Sequence, residues 1–330
     1  MAIHMVIRNK NQGMAMLMAL VMLAIASSLA AYIWYDSQLS LARIHNLKQA
    51  YQAKHYSQGM MLWASDILRE DYAQDETQHD SLSDPWLQGI QGMVVEDAIL
   101  SGSLNGMNSR FNVNNLVVNG EVSELHLTYL RRLLSTLELD LGIAEKMIDW
   151  IDADQIPMAD GAEDFIYLAK SPSYQTGSKY FQHVGELALL DGLSPSDYRR
   201  LLPYVTTLPI RGNQPTKMNV NTISPPLIKS LSLNINNEMA VRLNQNNQAN
   251  FTSMNDFFQH NSIRYVVTNT EERNNIEMLA GVQTLDLQAS STIQMEGQVH
   301  QMYALMRRQN NGSARVLVRS MAPFIPTDLL

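Results

Sequence analysis

Cysteine is absent from all 330 residues. Disulfides, thiolate metal sites and cysteine nucleophiles are therefore excluded. In an oxidising compartment, something else has to staple the fold. Charge is sparse as well, at 17% of residues against roughly 25% in an average soluble domain. Cations are the scarcer sign: 24 Lys and Arg face 32 Asp and Glu, a net charge of −8. A nucleic-acid scaffold normally carries a basic face, and this balance argues against one. The eight histidines form no HExxH or short ligand pair, and no GxSxG elbow, P-loop or GxGxxG occurs, which removes the commonest enzyme signatures. The length fits two globular units, or one with a large insertion, at about 150 residues per domain.

No charge lies between Lys10 and Asp36. Within that gap Met14 to Tyr35 forms a 22-residue apolar run. At ~1.5 Å per residue, a helix of that length crosses the ~30 Å hydrocarbon layer. Arg8 and Lys10 precede it, so the positive-inside rule keeps the first dozen residues cytoplasmic and sends the rest across. Tyr32, Trp34 and Tyr35 sit where an aromatic belt belongs. A secretory signal peptide cut near Ser28-Leu29-Ala30 is the plainer alternative. Its apolar core would normally be shorter, ~7–15 residues. The helical pattern also does not stop with the apolar run. From Asp36 to Asp71 there is no Pro and only Gly59. A loosely 3.6-spaced stripe of Leu41, Ile44, Leu47, Tyr51, Lys54 and His55 continues in Met60, Trp63, Ile67 and Leu68. One helix of roughly 55 residues is expected, starting in a membrane and ending in solution.

Further along, Met93, Val94, Val95, Ala98, Ile99 and Leu100 read as strand residues. Helical patterns follow over 123–139, 144–151, 184–190 and 195–202. Met218-Asn219-Val220-Asn221-Thr222 echoes Phe111-Asn112-Val113-Asn114-Asn115 at an offset of 219 − 112 = 107 residues. Asn or Thr before a helix is a natural N-cap, so two copies of a small helical unit are expected. The C-terminal part alternates with period two. Residues 299–307 and Ala314 to Arg319 flank Asn310-Asn311-Gly312, a hairpin signal, and Val282 to Gln288 reads as a third strand. Such an antiparallel sheet buries one face against the N-terminal helix.

Six acids crowd the sixteen residues from Asp149 to Asp164, and no Lys or Arg lies between Lys146 and Lys170. Uncompensated carboxylates repel unless solvated or bound to a cation. Calcium takes ~6–8 oxygen ligands, and Pro157 and Gly161 supply a bend. EF-hand spacing fails, because Ile156 stands at the third ligand position. From chemistry alone, a solvated acidic loop and a calcium site both remain open.

A 13-residue leader ending in Gly13 before an apolar helix resembles the type IV pilin leader, which prepilin peptidase cuts after the Gly. The resemblance places the cut between Gly13 and Met14. Most pilins carry Glu at the fifth mature position, and here that position is Met18. A carboxylate in hydrocarbon is costly unless paired, and in a growing fibre its partner is the amine of the subunit ahead. An apolar residue therefore suits the first subunit, the tip.

Together with that leader and Met18, several segments closely resemble the GspK family, the K-type minor pseudopilins of the bacterial type II secretion system. They are Arg110 to Leu116, Asp149-Trp150-Ile151-Asp152-Ala153-Asp154, Gly161-Ala162-Glu163-Asp164 with Tyr167, Glu186-Leu187, Leu202-Pro203-Tyr204-Val205 and Asn219-Val220-Asn221-Thr222. The resemblance spans about residues 8–320. It implies an α+β fold: a pilin-like long N-terminal transmembrane helix packed on an antiparallel sheet, with a large all-helical domain inserted between strands. The expected division is a cleaved leader (1–13), the membrane helix (14–35), the rest of the long helix with the first strands (36–112), the insertion (113–265, with units at about 113–205 and 219–260) and C-terminal strands (266–330). It further implies a methylated, non-enzymatic subunit of the bacterial inner membrane, with a cytoplasmic N-terminus and a periplasmic C-terminal domain. Partners implied are the I-, J- and H-type pseudopilins, prepilin peptidase, the inner-membrane platform and membrane lipid through residues 14–35, without nucleic acid. The function implied is a pseudopilus tip that initiates assembly and supports export of folded proteins. Structural Ca2+ is carried onto Asp152, Asp154, Asp160, Glu163 and Asp164. The rival reading is a helix-hairpin-helix DNA binder of the competence type, but only Lys217 and Lys229 flank the Asn-Val-Asn-Thr segment.

Overall fold

The computed structural model describes residues 11–75, 78–210 and 212–326. Arg8 and Lys10 lie outside the described residues. The chain divides into two compact units, Met1–His55 and Tyr56–Leu330. Helix α1, Asn11–Gln74, contributes to both. It has no internal Pro and runs through Gly59 without a break. Among the described residues it is the one helix long and apolar enough to cross a membrane. From Met14 to Tyr35 its side chains are exposed all round, as a lipid-facing segment requires. Leu41, Ile44, Leu47 and Tyr51 are exposed too.

In the second unit, five strands form one antiparallel sheet: β1 (Ile90–Val95), β2 (Ala98–Gly106), β3 (Asp286–Met295), β4 (Gln298–Arg308) and β5 (Ala314–Ser320). Their spatial order is their chain order, so the sheet is a meander opened once, between β2 and β3. The third strand expected at 282–288 begins four residues later, at Asp286. Leu104 lies opposite Ala289, and Ala289 opposite Ala304. This cross-strand row, with Leu287 and Met306, buries against Met61 and Leu68 of α1 and against Trp86. Met61 and Leu68 are seven residues apart, two helical turns, and so share one face. Trp63 from the expected stripe points away and stays exposed. At the β4–β5 turn Gly312 has φ +81°, and a Cβ added there would fall 2.7 Å from Tyr72 Cγ, so a side chain there meets both backbone strain and the end of α1.

Residues 107–285 fill the opening in the meander. Helices α2 (Glu124–Thr136), α3 (Ile143–Ile151), α4 (Asp164–Leu168), α5 (Pro195–Leu201), α6 (Pro225–Ser230), α7 (Asn237–Asn244), α8 (Met254–Gln259) and α9 (Thr270–Leu279) share one hydrophobic core. The insertion is not purely helical. Phe111–Asn112 pairs in parallel with Val205–Thr206, and Met218–Asn219 with Ala280–Gly281. Segment 184–190, expected as a helix, is a 3-10 turn over Val184–Leu189. Its C-terminal limit also differs from the expected 265, because Ile276, Leu279 and Ala280 belong to the helical core.

The two Asn-containing segments are structural counterparts. In each, a two-residue strand is followed by paired helices and then by a return strand parallel to the first. Asn112 caps a short 3-10 turn, Val113–Leu116, as an Asn before a helix is expected to. Asn112 and Asn219 accept the amide two residues on, from Asn114 and Asn221. Asn114 and Asn221 reach across the core to distant backbone instead. Ser224 occupies the residue before α6.

Candidate metal centre

Helix α3 has an apolar face, Ile143, Met147, Ile148 and Ile151, sunk in the helical core. After Ile151 the chain leaves the helix and must return to Asp164 at the start of α4. That return is the acidic segment. Trp150 anchors its far side, stacked on Phe181 at 5.8 Å with Tyr167 edge-on at 5.5 Å. Lys170 pairs with Asp191 at 2.9 Å and lies over the Tyr167 ring.

Asp152, Asp154 and Glu163 converge, each offering a carboxylate oxygen within 4.8 Å of the others. Glu163 is fully buried, yet neither of its side-chain oxygens has a hydrogen-bond partner. Asp152 Oδ1 is buried without a partner as well. An unpaired buried carboxylate costs several kcal/mol, at least ~1–3 for the missing hydrogen bonds alone. Burial, then the charges of Asp149, Asp152, Asp154 and Asp164, push Glu163 up to about 7. Burial, then Asp154 and Asp149, push Asp152 up to about 6. Three hard oxygen donors, two of them carrying orphaned buried atoms, fit a divalent ion such as Ca2+.

Asp160 and Asp164 stand outside that cluster. Asp160 is exposed, and its backbone amide donates to Glu145 Oε2 at 2.6 Å. Asp164 Oδ1 accepts from the Thr176 amide at 2.7 Å and the Thr176 hydroxyl at 2.8 Å. Its carboxylate fastens the loop beyond α4. The sequence places Asp149 among six acids and at the head of the Asp149-to-Asp154 motif, and gives no role to Glu145. Both are buried on α3 and hold the loop's backbone. Their i, i+4 spacing beside buried Ile148 was the available signal.

A family model described as "Type II secretion system (T2SS), protein K" matches residues 109–210. That stretch contains the acidic segment and the first Asn unit. Type II secretion system protein K of Pectobacterium carotovorum is 31% identical over 69% of this chain and 72% of its own length. The protein K of Klebsiella pneumoniae is 31% identical over 66% and 68%. The chain belongs to the type II secretion system protein K family. The protein K of Pseudomonas aeruginosa is similar over nearly the whole length, 29% identical across 95% of this chain and 94% of its own. A chain in the crystal structure of the GspK-GspI-GspJ complex from enterotoxigenic Escherichia coli shares the fold. The TM-score is 0.72 at 20% identity, covering 84% of this protein K and 98% of that chain.

Proposed function

We propose that this protein K is a minor pseudopilin, a structural, non-enzymatic subunit at the tip of the type II secretion pseudopilus. Residues 14–35 anchor it in the bacterial inner membrane, with the N-terminus cytoplasmic and the remainder periplasmic. Prepilin peptidase removes residues 1–13, and the new N-terminus is methylated. The subunit joins the I- and J-type minor pseudopilins above the H-type, initiates assembly on the inner-membrane platform and supports export of folded proteins. The observation that carries this reading is similarity to protein K of Pseudomonas aeruginosa along 95% of the chain, apolar helix included. The shared fold with a chain of the GspK-GspI-GspJ complex supports I- and J-type partners. Met18, apolar and exposed on α1, supports the tip position, where no preceding subunit supplies an amine for a Glu.

Calcium belongs to the same reading. Asp152, Asp154 and Glu163 are the residues that hold it. Bound there, the ion supplies positive charge that cancels their repulsion and fixes a cysteine-free loop. The test is complementation of a strain lacking the protein. The wild-type chain restores export of a folded exoprotein, and the proposal fails if export is intact in the deletion strain.

A further inference from the structure

The acidic strap 158–162 lies on α3 by its backbone rather than by its side chains. The Met158 amide donates to both Asp149 carboxylate oxygens at 3.2 Å. The Ala162 amide also donates to Asp149, and the Asp160 amide donates to Glu145 Oε2 at 2.6 Å. Three alternate amides of the strap thus meet two carboxylates one helical turn apart. Glu145 is itself ion-paired to Arg131, so it is fixed from behind. Both acids are buried, Asp149 almost fully. The strap fits closely. A Cβ on Gly161 would collide with Asp149 Oδ2 and fall 2.9 Å from the Met158 nitrogen, so glycine is required there. Glu163, the next residue after Ala162, is the one that arrives in the Asp152–Asp154 cluster with both oxygens unpartnered.

We infer that Glu145 and Asp149 are positioning residues for the cation site, gripping the strap so that Glu163 meets Asp152 and Asp154, and that neither touches the ion. The inference rests on the calcium reading above. A carboxylate accepts two amide donors, whereas an asparagine offers one acceptor and turns its NH2 toward the other donor. Residues that orient metal ligands typically change affinity by about 10–100-fold when altered.

The experiment uses the full chain in detergent micelles, stripped of metal. Calcium alone is titrated by calorimetry, and backbone exchange is followed in chelator. Asp149→Asn, Glu145→Gln and Gly161→Ala are compared with wild type. The expected result is faster exchange of the 158, 160 and 162 amides in all three variants before any ion is added. Calcium affinity falls about tenfold or more in each. Gly161→Ala removes no carboxylate from the chain but forces the strap away from Asp149. If Asp149→Asn weakens calcium while Gly161→Ala does not, Asp149 is a ligand and the inference is overturned. It is overturned equally if the strap loosens with calcium affinity unchanged. A wild-type chain that ignores calcium defeats the calcium reading itself, whereas a wild-type response kept by all three variants defeats only the positioning role.

Discussion

The Asn114 side chain holds both backbone polar groups of Phe181: its amide donates to the Phe181 carbonyl at 3.0 Å, and its oxygen accepts the Phe181 amide at 2.9 Å. Asn221 does the same to Phe251, at 3.0 and 2.7 Å. All four residues are buried. The Asn therefore acts as a short piece of β-ladder, joining the start of each helical unit to the segment that leaves its helix pair. Beyond each Phe, an acid five residues on repeats the pattern. Glu186 accepts the Gln182 amide, and Asp256 accepts the Thr252 amide.

Replacing Asn221 with Ala strands a buried N–H and a buried C=O on Phe251. Each unsatisfied group costs about 1–3 kcal/mol, so a loss of ~2–5 kcal/mol is expected for the second unit. Asn221→Asp keeps the acceptor but loses the donor and is expected to be nearly as damaging. Urea unfolding with exchange readout at residues 218–281 checks this. A midpoint unchanged in both variants would remove the clamp from the account.

Leader processing is expected between Gly13 and Met14. Both residues lie in the first turn of α1, where glycine weakens the helix by about 1 kcal/mol relative to alanine and eases local opening for a peptidase. Gly13→Leu is expected to leave the leader on. Mass spectrometry of the membrane-extracted protein reads the mature N-terminus. A chain that begins at Ala31 would instead establish a cleaved signal peptide.

Met18→Leu is expected to be silent, since both side chains suit hydrocarbon. Met18→Glu places a carboxylate in the lipid-facing run and is expected to lower insertion or to let the subunit sit below another. Membrane fractionation and export of a folded exoprotein report the two effects. Wild-type levels of both for Met18→Asp would take all force from the tip assignment at this position.

The pH dependence of the metal-free protein follows from Glu163 and Asp152. Their folded pKa values, about 7 and about 6, lie above the ordinary carboxylate values of 4.5 and 3.8. Raised values favour the folded state when protonated, so this stability is present at low pH and is lost as pH rises to about 7. In chelator the melting temperature is expected to fall between pH 5 and 7.5. Saturating calcium is expected to abolish much of that fall and to release protons near neutral pH. At a hundredfold excess over Kd, calcium adds about 2.7 kcal/mol. Glu163→Gln is expected to flatten the chelator profile and to shrink the calcium gap. Identical melting curves in calcium and chelator across that range would make the acidic segment a solvated loop.

The long helix and the meander were legible because periodicity is local: an uninterrupted apolar run, then alternation around Asn310-Asn311-Gly312. The insertion's end was misplaced because α9 carries polar Glu271, Glu272, Arg273, Asn274 and Asn275 and shows its apolar Ile276 and Leu279 only late. The N-cap reading holds for Asn112, which caps the 3-10 turn Val113–Leu116, but it could not reach Asn114 and Asn221, whose partners Phe181 and Phe251 are distant in sequence. Local capping rules do not reach such contacts. At the acidic segment, composition left a solvated loop and a calcium site both open and did not say which acids gather. Asp152, Asp154 and Glu163 gather, while the Asp164 carboxylate accepts from Thr176 and the Asp160 backbone amide donates to Glu145.

The most direct measurement is co-expression of the full-length chain with the I- and J-type pseudopilins of its own system, detergent extraction, and pull-down through a tag on the K protein followed by size exclusion. A single co-eluting species that contains all three proteins is the predicted result. A K protein that elutes alone from well-expressed, folded I- and J-type partners would contradict the account.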